Sequence, residues 1–106
     1  MLLQFTAMKL TEPQKKYLRG LGHHIKPVIT VANAGLSESL LKEFESTISH
    51  HELIKVRIRA SGREERDAIL TELCALGVAE LVTRIGNVAL LFRPSAEKPR
   101  IVLPSS

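Results

Sequence analysis

The residues of this chain whose types and spacing could do chemistry lie in one short segment, residues 27–38. At its centre are four residues with no side chain larger than that of asparagine, so another backbone can approach closely: Ala32, Asn33, Ala34 and Gly35. Gly35 can adopt a positive φ without steric cost, and Ser37 is a favoured helix N-cap. Free N–H groups at a helix start form an anion site. The segment therefore predicts either a phosphate clamp or a plain strand-to-helix turn.

Basic side chains precede and follow this segment. The chain carries 15 lysines and arginines against 11 acidic residues, for a formal net charge of +4. The first group of candidate RNA-binding cations lies in the first quarter of the chain, where nearly all charged residues are basic: Lys15, Lys16, Arg19 and Lys26. The second group alternates with apolar residues along a predicted strand and so shares one face of it: Lys55, Arg57 and Arg59. Like charges side by side repel unless an anion lies nearby, so this face either contacts nucleic acid or is simply solvated, which discourages edge aggregation.

The remaining reactive side chains give weaker signals. The pairs His23-His24 and His50-His51 place neighbours in different directions, and no cysteine or carboxylate cluster completes a zinc-ligand set. The single Cys74 excludes an internal disulfide and is interpreted as a small buried residue. No nucleophile elbow or Walker-type loop is present. The sequence therefore predicts a binding module with no catalytic residues, no metal and no cofactor.

The elements that must position the loop follow from hydrophobic periodicity. A first helix starts at the cap Thr11 and has an apolar stripe of Tyr17, Leu18 and Leu21. The opening strand is followed by a helix from Ser37 to about His50, the alternating strand at residues 53–59, a helix from Arg63 to Leu76 ending at Gly77, and a hairpin of strands 78–85 and 88–92. We predict an α/β (α+β) domain of order αβαβαββ. Its mixed four-stranded sheet would carry the second and third helices on one face, with the first covering an edge or end.

Length and composition set the remaining bounds. A chain of 106 residues makes one domain, which we place at residues 9–104, with a flexible extension at 1–8 and a tail at 105–106. No apolar run approaches the ~20 residues of a membrane span, and one cysteine is typical of a reducing cytoplasm. With four aromatic residues, one Tyr and three Phe, a stacking platform for single strands is not expected.

Three sequence blocks resemble the CRM domain (chloroplast RNA splicing and ribosome maturation), in particular the stand-alone bacterial YhbY-like proteins. They are Leu18-Arg19-Gly20-Leu21 with Lys26-Pro27-Val28, then Gly35-Leu36-Ser37-Glu38, then His51-Glu52-Leu53-Ile54-Lys55-Val56-Arg57-Ile58. Gly86 and Leu91-Phe92-Arg93-Pro94 agree as well. The resemblance spans about residues 9 to 104, and it implies a fold similar to the C-terminal domain of translation initiation factor three.

The resemblance also implies a function. Single-domain members of the family bind RNA and are associated with precursors of the large ribosomal subunit, so the expected partner is large-subunit rRNA or its precursor particle, bound by a monomer. The family's RNA-contacting GxxG loop falls on residues 32–35, with Ala32 in place of the first glycine. A positive φ would be disfavoured there. The alternative is a protein-interaction module that docks on ribosomal proteins or an assembly GTPase.

Overall fold

The computed structural model describes residues 9–32 and 35–105. Its elements, in chain order, are α1 Glu12–Gly22, β1 Pro27–Val31, α2 Glu38–His51, β2 Leu53–Ile58, α3 Arg63–Leu76, β3 Glu80–Ile85 and β4 Val88–Phe92. The predicted order αβαβαββ is confirmed. The predicted extension at residues 1–8 lies outside the described residues. None of the helices in the described part of the chain has the length and apolar character that a membrane crossing requires.

The four strands form one mixed sheet in the order β1-β2-β4-β3. The β1 and β2 strands are parallel, whereas β4 pairs antiparallel with both β2 and β3. The α2 helix makes the crossover between the parallel pair, because parallel neighbours cannot be joined by a tight hairpin. Because parallel strands end at the same edge of a sheet, the loop after β1 and the residues after β2 lie next to each other.

Side-chain caps begin the first two helices where the sequence predicts. At α1, the Thr11 hydroxyl accepts from the Gln14 N–H at 3.2 Å, and the Gln14 side chain accepts from the Thr11 N–H at 3.0 Å. This reciprocal capping box satisfies two of the N–H groups that a helix start leaves open. At α2, the Ser37 hydroxyl accepts from the Leu40 N–H at 3.1 Å. These caps explain why the boundaries could be predicted closely.

The larger core lies between one sheet face and the helices α2 and α3. Every second residue of β2 is buried in this core, namely Ile54, Val56 and Ile58. The helices α2 and α3 contribute Phe44, Ile48, Leu70 and Leu73. Gly77 ends α3 against this core, where an added Cβ would lie 2.3 Å from the Phe44 ring. The left-handed residue of this turn is Val78, with φ 49°. The strand therefore begins at Glu80 and not at the predicted Val78.

The α1 helix lies on the opposite face of the sheet, not at an edge or end as expected. That face carries the apolar side chains of Leu53, Leu90 and Phe92, which point away from α2 and α3 and need a cover of their own. Leu18 is buried among them, and Gly22 packs so closely that an added Cβ would lie 2.7 Å from a Leu90 methyl carbon. The helices are thus packed mainly, but not entirely, on one face.

The predicted apolar stripe of α1 is only partly buried. Leu18 is fully buried, whereas Tyr17 is 42% exposed and Leu21 is 43% exposed. The helix rests on the sheet along Leu18 and Gly22, so residues about a quarter-turn away lie on its flank. The chain after β4 covers the rest of this core, with Ile101 and Leu103 packed against it.

Candidate nucleic-acid interface

The small-residue loop leaves the carboxyl end of β1 and leads into α2. Gly35 has φ 71°, a left-handed conformation that favours glycine, and its N–H donates to the Ala32 carbonyl at 2.9 Å. The Ser37 N–H then donates to the Gly35 carbonyl at 3.1 Å. The other two predicted loop residues, Asn33 and Ala34, lie outside the described residues. The described part of the loop is a tight turn that delivers the chain to the amino end of a capped helix.

Ala32 does not carry the backbone penalty that its replacement of a glycine would suggest. In the described ranges 9–32 and 35–105, the non-glycine residues with positive φ are Glu52 and Val78. Ala32 is outside the left-handed region, so an alanine fits there without strain. The exposed Ala32 also adds only a methyl group to the surface. The need for glycine in this loop therefore falls on Gly35.

Two of the predicted cations are brought beside this loop by the parallel pairing of β1 and β2. Thr30 pairs with Arg57 and Val31 with Ile58, and the Arg59 N–H donates to the Val31 carbonyl at 2.9 Å. Arg59 is thus bonded to the residue directly before Ala32. Both arginine residues are exposed. We call the loop residues 32–35 together with Arg57 and Arg59 the loop edge.

Lys55 extends the loop edge along the same face of β2, towards α1. It lies two residues before Arg57, pairs with Leu90 of β4, and is partly buried. Because side chains alternate along a strand, Lys55 and Arg57 share the face that carries Leu53 and α1. That face is opposite to α2 and α3. The second cationic group therefore follows one face of β2, from the part that α1 covers to the exposed part beside the loop.

The basic residues of α1 divide between its outer surface and one flank. Lys16 and Arg19 are exposed, whereas Lys15 is partly buried and lies 4.0 Å from the carboxylate of Glu12. Helical periodicity puts Lys15 and Arg19 on the flank opposite to Tyr17. We call Lys15, Lys16 and Arg19 the α1 patch.

Lys26, like the predicted cations of α1, is not brought to the loop by the structure. It is exposed and precedes β1, whose first residue Pro27 pairs with Lys55. The loop follows the other end of β1, so Lys26 and Ala32 are separated by about 20 Å of extended chain. Lys26 therefore belongs with the α1 patch and Lys55.

Between the α1 patch and the loop edge, part of the sheet face remains uncovered. One row crosses all four strands there, with Thr30 opposite Arg57, Arg57 opposite Val88 and Val88 opposite Ile85. Ile85 is 79% exposed. The alternation of side chains along β3 and β4 could have indicated that Ile85 and Val88 share a face. Which residues lie beside them in the row depends on the strand order, which the sequence does not give. It forms an apolar and cationic floor beside the loop edge.

Other arginines hold the fold together and do not join this surface. Arg93 donates to both carboxylate oxygens of Glu45, at 2.8 and 2.7 Å, and to the Gly77 carbonyl at 2.9 Å. The hydrogen bond from Arg93 lowers the pKa of the Glu45 carboxyl below its ordinary value. Arg84 lies 3.7 Å from Asp67 of α3. These ion pairs are on the α2 and α3 side of the sheet. On the α1 side, the ion pair found among the described residues is that of Lys15 with Glu12.

Glu52 is a structural residue that the sequence patterns did not single out. It is completely buried at the α2–β2 junction, has φ 66°, and its carboxylate accepts backbone N–H groups of the later chain at 2.6, 2.9 and 3.0 Å. The donors are Ser95, Arg100 and Ile101. Burial raises the pKa of the Glu52 carboxyl, but these hydrogen bonds outweigh it and the pKa is lowered. Glu52 thus fastens the segment after β4 over the α1-side core.

The histidines and the cysteine occupy unremarkable places. The rings of His23 and His24 pack edge to face with their centroids 5.1 Å apart, and those of His50 and His51 do so with centroids 4.9 Å apart. The second pair lies in the last turn of α2, as predicted, where the helix dipole favours a cation. Over the described residues, no group of histidine, cysteine or acidic residues could hold a metal ion. Burial raises the pKa of the Cys74 thiol to about 11, so the thiol is uncharged at neutral pH and a poor nucleophile.

The fold and this surface define a small α+β domain with a basic sheet face that ends at a small-residue β–loop–α junction. Residues 10–93 match the family model described as the CRS1 / YhbY (CRM) domain. The chain belongs to this family.

Proteins from several bacteria are similar to this chain over most of its length. A Pseudomonas aeruginosa protein named a probable RNA-binding protein is 48% identical over 86 residues, which cover 81% of this chain and 83% of that protein. A Haemophilus influenzae protein named an RNA-binding protein is 40% identical over 95 residues, covering 90% of this chain and 95% of its own length. The solution structure of a Staphylococcus aureus protein, described as a candidate RNA-binding protein, matches with a TM-score of 0.77 at 33% identity. It covers 91% of this chain and 100% of the Staphylococcus chain.

Proposed function

We propose that this protein is a cytoplasmic RNA-binding protein that acts, as a monomer, on rRNA during assembly of the large ribosomal subunit. The observation that carries the proposal is the parallel β1–β2 pairing, which sets Arg57 and Arg59 directly beside the 32–35 loop. The names of the relatives support RNA as the ligand. The role in large-subunit assembly follows from the family resemblance described above.

The loop edge suits a phosphate of the RNA backbone. The N–H groups of Gly35 and Ser37 are used within the turn itself, so it is the amino end of α2 that offers the first N–H groups of a helix and the positive end of its dipole. Arg57 and Arg59 add charge-assisted donors on the next strand, and arginine binds phosphate in a planar, bidentate manner. Farther along the strand, Lys55 and the α1 patch would meet later phosphates of the same backbone. Recognition is then mainly of backbone and shape.

The test is binding to naked fragments of large-subunit rRNA at physiological salt. Binding without any ribosomal protein supports the proposal, and co-sedimentation with large-subunit precursors from a cell extract would support the assembly role. The alternative is a module that docks on ribosomal proteins or an assembly GTPase, and the exposed apolar side chains of Val28 and Ile85 favour it. Association with particles that requires ribosomal proteins, together with no binding to the naked fragments, would select that alternative.

The double variant Lys16→Gln with Arg19→Gln measures how much the α1 patch contributes to RNA binding. Each phosphate contact contributes about 0.7–0.9 to the slope of log affinity against log salt, so losing two should flatten the slope by about 1.5. Affinity titrations across a range of salt concentrations give this slope. An unchanged slope would remove α1 from the interface.

The variant Gly35→Ala tests the loop conformation. An added Cβ would meet no atom of the described residues within 4 Å, so the expected cost comes from φ 71°, about 1–2 kcal/mol of the free energy of unfolding. We expect RNA binding to weaken as the turn shifts. For the stability measurement alone, Gly20→Ala is the matched control, because Gly20 is helical, has equally open space among the described residues and adopts a conformation that alanine favours. Urea unfolding and RNA titration measure both effects, and equal stability of the two variants would contradict the assigned turn.

A further inference from the structure

An apolar groove lies on the flank of α1 that faces away from Lys15 and Arg19. It has a volume of about 540 Å³ and is lined by Pro13, Lys16, Tyr17, Gly20, Leu21 and Pro104. The sequence predicted Tyr17 and Leu21 in the apolar stripe of α1, yet both are more than two-fifths exposed. Neither belongs to the loop edge. This groove is therefore a surface feature that the phosphate contacts do not explain.

The far wall of the groove is held in place by long-range contacts. The Gln14 side chain donates to the Pro104 carbonyl at 3.0 Å, and Leu103 next to it packs against the α1-side core. Farther back, Glu52 fastens the same segment through the backbone of Arg100 and Ile101. The groove is thus formed before any partner arrives, which spares the partner the cost of ordering it.

We propose that this groove receives one unpaired base of the bound RNA, stacked on the ring of Tyr17, with the adjoining phosphate on Lys16. This inference rests on the proposed RNA-binding function. The lining matches the parts of a nucleotide: an aromatic ring can stack on the base, aliphatic side chains can contact its edges, and a cation can bind its phosphate.

Charge favours a nucleotide over an apolar peptide. The lining includes one cation and no acidic residue. The exposed surface of α1 continues with Arg19, and its acidic residue Glu12 already lies 4.0 Å from Lys15. A polyanion is attracted to such a helix, whereas an apolar peptide gains nothing from these cations. Gly20 leaves open space beside the ring, because an added Cβ there would meet no atom within 4 Å in the part of the chain that the structure describes.

The stacking can be observed directly, because Tyr17 is the only tyrosine of the chain. Its ring protons give one identifiable set of NMR signals, and a stacked base shifts such signals upfield. The full chain is titrated with a short single-stranded RNA and with an abasic RNA of the same length. We expect an upfield shift with the first RNA and none with the second, although both bind through their phosphates. Saturated binding of the single-stranded RNA without such a shift would overturn the inference.

Two substitutions at Tyr17 provide a second readout. Tyr17→Leu keeps an apolar side chain but removes the ring, and should weaken binding of the single-stranded RNA about tenfold. Tyr17→Phe keeps the ring and should restore the affinity, and neither variant should change binding of the abasic RNA. If Tyr17→Leu binds the single-stranded RNA as well as the unaltered chain does, no base stacks on the ring and the inference is overturned. That result leaves RNA binding in place, whereas failure of the unaltered chain to bind any RNA refutes the proposed function itself.

Discussion

Replacing Arg57 and Arg59 together by glutamate should weaken RNA binding about a hundredfold at physiological salt, a loss of roughly 3 kcal/mol. The two arginines are exposed and lie beside the loop, so the substitutions put two negative charges where a phosphate would bind. Like charges at an interface oppose binding strongly. Titration of an rRNA fragment gives the affinity, and thermal unfolding of the free variant shows whether its fold is kept.

The control for this variant is Lys42→Glu with Lys98→Glu. It changes the net charge by the same amount, but Lys42 lies on α2 and Lys98 after β4. Both side chains are exposed. We expect this control to lose only a small part of its affinity. An equal loss in both variants would show that net charge, and not the loop edge, governs binding.

Replacing Glu52 by glutamine should lower the free energy of unfolding by about 3 kcal/mol. The carboxylate accepts three backbone N–H groups of residues 95–101, and an amide in its place would turn an NH₂ group towards at least one of them. A hydrogen bond to a charged group contributes about 1.5–3 kcal/mol, and a buried donor left without a partner adds a cost of its own. The segment after β4 should loosen, and with it the Pro104 wall of the groove. Urea unfolding and amide exchange of residues 95–104 measure both effects.

Glu52 also makes the free energy of unfolding depend on pH in the acidic range. The pKa of Glu52 is lowered in the folded chain from the ordinary value of 4.5, so the folded state binds this proton less readily than the unfolded state. Its contribution is therefore complete above about pH 4.5 and is lost as the pH falls through the lower folded-state pKa. Glu45 acts in the same direction through Arg93, but more weakly because Glu45 is exposed to solvent. Glu52→Gln should flatten the acid side of the stability curve, whereas Glu97→Gln, at an exposed position of the same segment, should leave it unchanged.

The effect of Glu52→Gln on RNA separates the two surfaces. The loop edge does not contact the segment after β4 through any hydrogen bond among the described residues. Phosphate binding there should survive the substitution at temperatures where the chain remains folded. A loosened groove, in contrast, should lose the Tyr17 contribution to single-stranded RNA.

Much of the fold could be predicted from the sequence because the signals are local. Thr11 with Gln14 and Ser37 are caps that act within three residues, and they begin α1 and α2 where predicted. The alternation of Ile54, Val56 and Ile58 with cations gave β2 and its two faces. The βαβ order indicated a mixed sheet, and the observed parallel pairing of β1 with β2 then makes the loop and the end of β2 neighbours. The roles assigned to the loop and to the cations remain predictions.

The tertiary structure decided what depends on contacts between distant residues. The buried face of α1 is set by Leu18 and Gly22 against Leu90, about 70 residues away in sequence. The periodicity of α1 gave an apolar stripe but not which of its members are buried, and Tyr17 and Leu21 are largely exposed. Glu52 has no local pattern, since its three partners come 43 to 49 residues later. The sequence by itself determined which elements form and where the small-residue loop lies, because caps, turns and alternation act over a few residues. Only the tertiary structure decided which flank of α1 is open and which cations adjoin the loop, because packing across the sheet sets both.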